Sequence, residues 1–88
     1  MVKMVNYRFR LLGVPPDQAV KTADIDVNQD ITEAKKVVRN LYKLNPILTL
    51  QFIHKGKVLP NNVRFASLSL LPKKDVITVM ASQVGGNN

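Results

Sequence analysis

LQFIHKGKVL, at residues 50–59, is the stretch of sequence that decides the fold of this chain. Apolar and polar residues alternate over residues 48–52, and this period of two predicts a half-buried strand. The polar residues 54–57 come next, and their glycine suits the positive φ of a tight turn. Residues 58–59 predict a short return strand. The stretch is therefore predicted to be a β-hairpin with Ile53 on its solvent-facing side.

Two further strands are predicted near the beginning of the chain. Residues 5–11 alternate between apolar and polar side chains, and residues 22–27 do the same. The connection at residues 13–18 contains two prolines, which break the strand pattern because proline cannot extend a hydrogen-bonded ladder. Two such strands with a short connection predict an antiparallel hairpin.

A helix is predicted after the second strand. Asp30 can cap its first turn, and Glu33, three positions later, completes the spacing of a capping box. Apolar residues then recur every three or four positions from Ile31 to Leu44, which gives the helix one apolar stripe. Asn45-Pro46 is predicted to end the helix, because the residue before a proline avoids helical backbone angles.

The remaining apolar segments complete the predicted fold. Residues 65–71 predict a compact turn or a short 3₁₀ helix, and residues 76–81 predict a last strand. We therefore predict an α+β fold of order β-β-α-β-β-β, in which one helix packs across one face of a mixed sheet. The domain is predicted over residues 1–81, with a flexible C-terminal tail over residues 82–88. The predicted core between helix and sheet comprises Leu50, Phe52, Val38, Leu41, Ile77 and Val79.

Composition restricts the classes of function. The 88 residues suit one domain, and the lack of cysteine excludes a disulfide framework, a thiolate metal site and a cysteine nucleophile in this sequence. Such a composition fits a cytoplasmic protein. Thirteen Lys and Arg against six Asp and Glu give a net charge of +7, which favours acidic partners. Because the basic residues are scattered and no apolar run could span a membrane, we expect neither nucleic acid nor membrane binding.

Catalysis finds little support in the sequence. His54 is the single histidine, and beside a Lys-Gly-Lys turn it is predicted to be a surface residue. The acidic residues are dispersed, and Asp24 and Asp26 fit the solvated side of a strand. No glycine-rich phosphate-binding loop occurs. We therefore predict that the chain is not an enzyme, needs no metal or cofactor, and acts as a substrate or ligand of enzymes.

One group of surface residues is predicted to bind a partner. If the third strand and the last strand are neighbours, Ile53, Thr78 and Met80 share the exposed face of the sheet. Single exposed apolar residues are ordinary, but a cluster of them often marks a protein-binding site.

A second chemical signal is Gly85-Gly86, which follows the last predicted strand. Glycine has no Cβ, so a tail of two glycines can enter channels that are too narrow for side chains. An enzyme that adenylates a C-terminal carboxylate needs this slimness. Because Asn87-Asn88 follow the pair, we expect the chain to be a precursor that is cut between Gly86 and Asn87. The alternative is an ordinary polar tail, since Gly and Asn are common where chains fray.

Taken together, these segments resemble the ubiquitin family. The strand order, the helix opening at residues 30–33, the proline after the helix, and residues 50–59 with their glycine turn and following lysine all match. Residues 65–68 and the apolar strand that leads to Gly85-Gly86 match as well. The likeness covers residues 2–86. It implies a β-grasp fold and a small ubiquitin-like protein modifier in precursor form.

The resemblance implies a series of enzymatic steps at the tail. A processing protease would trim the chain to Gly86, and an activating enzyme would adenylate the new carboxylate. Conjugating and ligase enzymes would pass it through thioesters to target-protein lysines. Residues 81–84 lack the arginines that precede the glycines in ubiquitin, which suggests a dedicated activating enzyme.

The resemblance also implies roles for individual residues. Ile53 falls at the position of the family's central recognition isoleucine, and Met80 falls at a companion apolar position. Lys57 and Lys35 match lysines of the family and are candidate acceptors for chain linkage.

Two alternative functions remain open at this stage. A sulfur carrier of the same fold also ends in Gly-Gly and forms a C-terminal thiocarboxylate, although such carriers usually stop at the second glycine. A non-conjugated ubiquitin-like module would bind proteins without using the tail. In all three cases we expect a cytoplasmic monomer.

Overall fold

The computed structural model describes residues 3–83. These residues form a mixed sheet, one long helix, a one-turn helix and a 3₁₀ turn. In chain order the elements are β1 Met4–Leu11, α1 Pro16–Ala19, β2 Val20–Asp26, α2 Ile31–Leu41, β3 Thr49–His54, β4 Lys57–Val58, the 3₁₀ turn Phe65–Leu68 and β5 Val76–Ser82. The predicted α+β class and the predicted order of strands around the long helix are confirmed.

The five strands form one sheet in the order β2-β1-β5-β3-β4. β1 pairs with β2 in antiparallel orientation and with β5 in parallel orientation, while β3 is antiparallel to both β5 and β4. The last strand in sequence therefore lies in the centre of the sheet, between β1 and β3. This mixed sheet with one helix across one face is the β-grasp arrangement.

The core lies between α2 and the inner face of the sheet. The inward residues of β1, β3 and β5 are buried because strand side chains alternate between faces. The rings of Phe9 and Phe52 pack with centroids 5.5 Å apart. Five of the predicted core residues are at most 2 % exposed: Leu50, Phe52, Val38, Ile77 and Val79. The sixth, Leu41, is only partly buried and packs against the edge of the core, because it occupies the last position of α2.

The predicted beginning of α2 is confirmed, but its predicted end is wrong. Asp30 Oδ1 accepts a hydrogen bond of 3.1 Å from the Glu33 backbone N–H, as an N-cap does. The helix ends at Leu41, before Asn45-Pro46. The chain turns out of the helix because Lys43 adopts a left-handed conformation, with φ of 53°.

Two connections also differ from the prediction. The connection between β1 and β2 contains the one-turn helix α1, which was not predicted. Pro16 occupies the first turn of this helix, where its missing N–H loses no hydrogen bond, because the first N–H groups of a helix have no partner within the helix. The return strand β4 begins one residue earlier than predicted, at Lys57. Leu59, predicted to belong to this strand, instead follows it as a buried residue whose N–H donates to the Phe52 carbonyl at 2.8 Å.

Candidate functional site

The exposed face of the sheet brings the three predicted partner-binding residues together. Ile53 on β3 lies directly opposite Thr78 on β5, and Met80 is two positions further along β5 on the same face. Met80 is 37 % exposed, while Ile53 and Thr78 are half-buried. These residues form a continuous surface on the side of the sheet away from α2.

This surface is larger than the sequence predicted. Val58 on β4 lies opposite Ile53 and is 55 % exposed. Arg10 on β1 lies beside Thr78 through the parallel pairing of β1 with β5. Arg10 was missed because the pairing of β1 with the last strand connects distant parts of the chain. Val58 was not singled out, although it belongs to the predicted hairpin of residues 50–59. The alternation of β1 already places Arg10 on the exposed face. The sequence did not indicate that β1 lies beside β5, which brings Arg10 next to Thr78.

His54 is less exposed than the surface residue that was predicted. Its side chain is 19 % exposed, and its Nε2 atom lies 3.0 Å from Asp75 Oδ1. Asp75 Oδ2 accepts a second hydrogen bond, of 2.8 Å, from the Leu71 N–H. The Leu71 N–H and, to a lesser extent, the bond to His54 hold the pKa of the Asp75 carboxyl below its usual value. This pair joins the end of β3 to the turn before β5.

The histidine–aspartate pair stands apart from any cluster of metal-ligating side chains among the described residues. Within residues 3–83, no group of three or more His, Asp or Glu side chains could hold a metal ion. His54 and Asp75 make their bond at the end of the sheet, where it closes a turn. In the same part of the chain, no helix is long and apolar enough to cross a membrane.

The two candidate acceptor lysines differ in accessibility. Lys57 is exposed at the start of β4. Lys35 on α2 is half-buried, and its Nζ donates a hydrogen bond of 2.6 Å to Asn61 Oδ1. Burial also lowers the pKa of the Lys35 ammonium group. A reacting carbonyl could reach Lys57 directly, whereas Lys35 would first have to leave Asn61.

The predicted conjugation and cleavage residues lie outside the described part of the chain. β5 ends at Ser82, and the description stops at Gln83. Gly85, Gly86 and Asn87 follow in the sequence. Because β5 is the central strand, the chain leaves the middle of the sheet as it approaches these residues.

Comparisons with known proteins support the fold. The sequence matches no protein-family model and no curated protein. A ubiquitin from Caldiarchaeum subterraneum matches with a TM-score of 0.74 and 18 % identity, over 96 % of this chain and 100 % of the other. A chain from a structure described as molecular mimicry of SUMO that promotes DNA repair matches with a TM-score of 0.72 and 16 % identity, over 90 % and 92 % respectively.

A third similar structure is part of a larger protein. The C-terminal ubiquitin-like domain of mouse tubulin-specific chaperone e matches with a TM-score of 0.64 and 12 % identity, over 98 % of this chain and 94 % of that domain. At such low identities these likenesses establish the fold alone. The chain has a ubiquitin-like β-grasp fold, as its segments predicted.

Proposed function

We propose that this chain is a ubiquitin-like protein modifier that is conjugated through Gly86 to lysines of target proteins. One observation carries the proposal: in a ubiquitin-like fold, the central strand β5 leads within a few residues to Gly85-Gly86. The fold provides a compact body for recognition, and the glycines provide a slim tail for the reaction.

The chemistry requires a free carboxylate on Gly86. A processing protease would first hydrolyse the peptide bond between Gly86 and Asn87. An activating enzyme would then join the carboxylate to the α-phosphate of ATP and release pyrophosphate. A cysteine thiolate would displace AMP to form a thioester, and a lysine amine would displace the thiol to form an isopeptide bond. In this scheme the enzymes supply the catalytic groups and the modifier supplies the acyl group.

The exposed sheet face supplies the recognition that such enzymes need. Ile53, Thr78 and Met80 form an apolar centre, and Val58 extends it. A cluster of this kind suits a protein partner. We propose that the conjugation enzymes, which we expect to be cytoplasmic, hold the modifier by this face while its tail reacts.

A second candidate function rests on the same face without the tail. The face would bind proteins even if Gly85-Gly86 never reacted, as in a non-conjugated module, and the fold does occur as a domain of a tubulin-specific chaperone. A sulfur carrier would use the tail differently, by exchanging an oxygen of the activated Gly86 carboxylate for sulfur. These alternatives leave different products.

Intact mass separates the three functions. The chain is incubated with ATP in a lysate of its source organism, recovered and weighed, with Gly86→Ala as the matched control. A modifier loses the residues after Gly86 and forms larger adducts, and Gly86→Ala forms few of them. A trimmed chain with an oxygen-to-sulfur exchange and no adducts would indicate a sulfur carrier. An unchanged mass, in a lysate that conjugates other proteins, would contradict the proposal.

A further inference from the structure

β2 is an edge strand of the sheet. It pairs with β1 on one side, and within residues 3–83 no strand pairs with its other side. The Val27 N–H donates to the Lys3 carbonyl, and in an antiparallel ladder the residues alternate between bonding across the ladder and pointing away from it. The N–H and C=O groups of Thr22 and Asp24 therefore point outward from the edge. An outward row of this kind can bond another strand.

The charged side chains of β2 are separated by sign along the strand. Lys21 lies near its beginning, whereas Asp24 and Asp26 lie at its end. Together with Glu33 of α2, these two aspartates line one groove between β2 and α2, which holds three of the six acidic residues of a chain with a net charge of +7. Charges on an edge strand commonly prevent pairing between copies. Antiparallel pairing of two β2 strands would instead bring the lysine of each copy to the acidic end of the other.

The side chain of Lys21 lies on the same face of the sheet as the groove. Lys21 and Ile25 are four positions apart in the strand, so both point to the α2 side, where Ile25 is buried. The Lys21 Nζ atom lies 5.3 Å from the centroid of the Tyr42 ring, which directly follows α2. Ile25, Glu33 and Val37 line the groove, and Val37 is 38 % exposed. A lysine from a second copy would therefore meet an aliphatic wall for its stem and a carboxylate for its ammonium group.

One symmetric register pairs the whole of β2. A two-fold axis between antiparallel copies matches the outward groups of the two strands when the pairing is centred on a residue. A centre at Ala23, the midpoint of Val20–Asp26, pairs every residue of the strand and sets Thr22 opposite Asp24 of the other copy. A centre at Asp24 would set two like charges opposite each other. The register centred on Ala23 therefore satisfies the backbone and the charges together.

We propose that two copies of this chain pair through their β2 strands, antiparallel and centred on Ala23, to form one continuous sheet. In this dimer Lys21 of each copy lies opposite Ile25 of the other, and its ammonium group meets Glu33 across the interface. Glu33 already pairs with Lys36 at 3.0 Å, but both side chains are largely exposed, so that pair holds Glu33 only weakly.

The dimer goes beyond the proposed function and does not depend on conjugation. β1 separates β2 from β5, so the pairing leaves β5 and the tail that follows it free. The sequence alone led us to expect a monomer, since it does not show which strand lies at the edge of the sheet. One strand from each copy makes a small interface, so we expect a weak dimer that forms as the concentration rises.

Sedimentation equilibrium combined with amide hydrogen exchange tests the pairing. We expect a reversible equilibrium between monomer and dimer. Exchange of the Thr22 and Asp24 N–H groups should slow in the dimer, because these groups become hydrogen-bonded, whereas the Ala23 N–H, which already faces β1, changes less. A chain that stays monomeric at millimolar concentration, or a dimer in which Thr22 and Asp24 exchange as in the monomer, would overturn the proposal. Assemblies larger than a dimer would overturn it as well, because a two-fold pairing of edges is closed.

Charge reversal tests the contact between Lys21 and Glu33. Lys21→Glu and Glu33→Lys should each weaken the dimer about tenfold or more, because like charges then meet twice in the symmetric interface. An equimolar mixture of the two variants should associate again, since each variant supplies the charge that the other now needs. A mixture that stays monomeric, while circular dichroism shows both variants folded, would contradict the proposal.

A matched control and a backbone variant complete the test. Lys57→Glu changes the net charge as Lys21→Glu does, but it lies on β4 at the opposite edge of the sheet and should weaken the dimer less than about twofold. Equal losses in Lys57→Glu and Lys21→Glu would show unspecific attraction and contradict the proposal. Thr22→Pro removes an outward N–H from the edge, a position at which a strand tolerates proline, and should abolish pairing with the fold retained. A folded Thr22→Pro chain that dimerises like the parent would overturn the proposal.

Discussion

Ile53 has a structural place in the sheet and a proposed role in partner binding. Its backbone pairs with Thr78 on one side and Val58 on the other, which fixes its position within the sheet. Its side chain points away from α2 and is half-buried among neighbours on the exposed face. The side chain can therefore be shortened without opening the core.

We predict that Ile53→Ala weakens partner binding more than it weakens the fold. Truncation of an interface anchor commonly costs about 1–2 kcal/mol or more of binding free energy. The free energy of unfolding should fall by less than about 1 kcal/mol, because the site lies outside the core. Val37→Ala is the matched control, because it shortens an aliphatic side chain of α2 that is 38 % exposed. This variant should leave partner binding unchanged. Calorimetry on a partner isolated from the source lysate and urea unfolding measure the two quantities.

The opposite result for Ile53 would be informative. A large loss of stability with unchanged affinity would mean that the face away from α2 is not a recognition surface. Equal losses of affinity in Ile53→Ala and Val37→Ala would place the partner elsewhere.

Asp75 should make stability depend on pH. Its folded-state pKa is lowered, chiefly by the Leu71 N–H and then by His54, so its carboxylate contributes stability above the unfolded-state pKa of about 3.9. This contribution disappears as the pH falls from about 5 through the lowered pKa. Asp75→Asn should therefore be less stable than the parent chain at pH 5 and above, and the two should converge under more acidic conditions. Urea unfolding over that range measures the difference, and a gap that stays constant into strong acid would contradict the assignment.

At the scale of the elements, the sequence predicted the inward faces of the strands and the beginning of α2 correctly. It did not predict the residue at which α2 ends. Alternation identified the inward faces of β1, β3 and β5, because the period of two is a local property of a strand. Asp30 and Glu33 indicated the beginning of α2, because the N-cap hydrogen bond forms between residues that are close in the sequence. The end of α2 escaped prediction, since Lys43 carries the left-handed turn without being a glycine.

The hairpin of β3 and β4 offers a direct contrast between core and surface. Leu50 is 2 % exposed, so Leu50→Ala should cost roughly 2–5 kcal/mol of unfolding free energy through lost burial and a cavity. Lys57 is exposed at the other end of the hairpin, and Lys57→Ala should cost less than about 0.5 kcal/mol. Urea unfolding of both variants measures the contrast. Equal midpoints would mean that the inward face of β3 has been misassigned.

At the scale of the whole molecule, the sequence predicted the architecture but not every contact. The number and kind of elements follow from local patterns, and the need to bury one apolar face then leaves few arrangements. The hydrogen bond between His54 and Asp75 joins residues that are 21 positions apart, and no local sequence pattern predicts it. The same limit applies to Arg10 beside Thr78, which depends on the parallel pairing of β1 with β5. Surfaces assembled across strands were therefore only partly foreseen.

In the proposed function, the molecule as a whole joins a recognition face to a tail that reacts. β5 takes part in both, since it carries Thr78 and Met80 on the exposed face and then leads towards Gly85-Gly86. A partner that holds the face is thus placed near the point where the tail leaves the sheet. This connection is the physical basis for proposing a modifier.

The most direct test of that proposal is to look for the isopeptide bond itself. The chain, tagged at its beginning, is expressed in its source organism, purified under denaturing conditions, digested and analysed by mass spectrometry. The account predicts branched peptides in which the Gly86 carbonyl is joined to a lysine Nζ of another protein, and their loss in Gly86→Ala. Unbranched tails throughout, from cells in which other conjugates are recovered by the same procedure, would contradict the account.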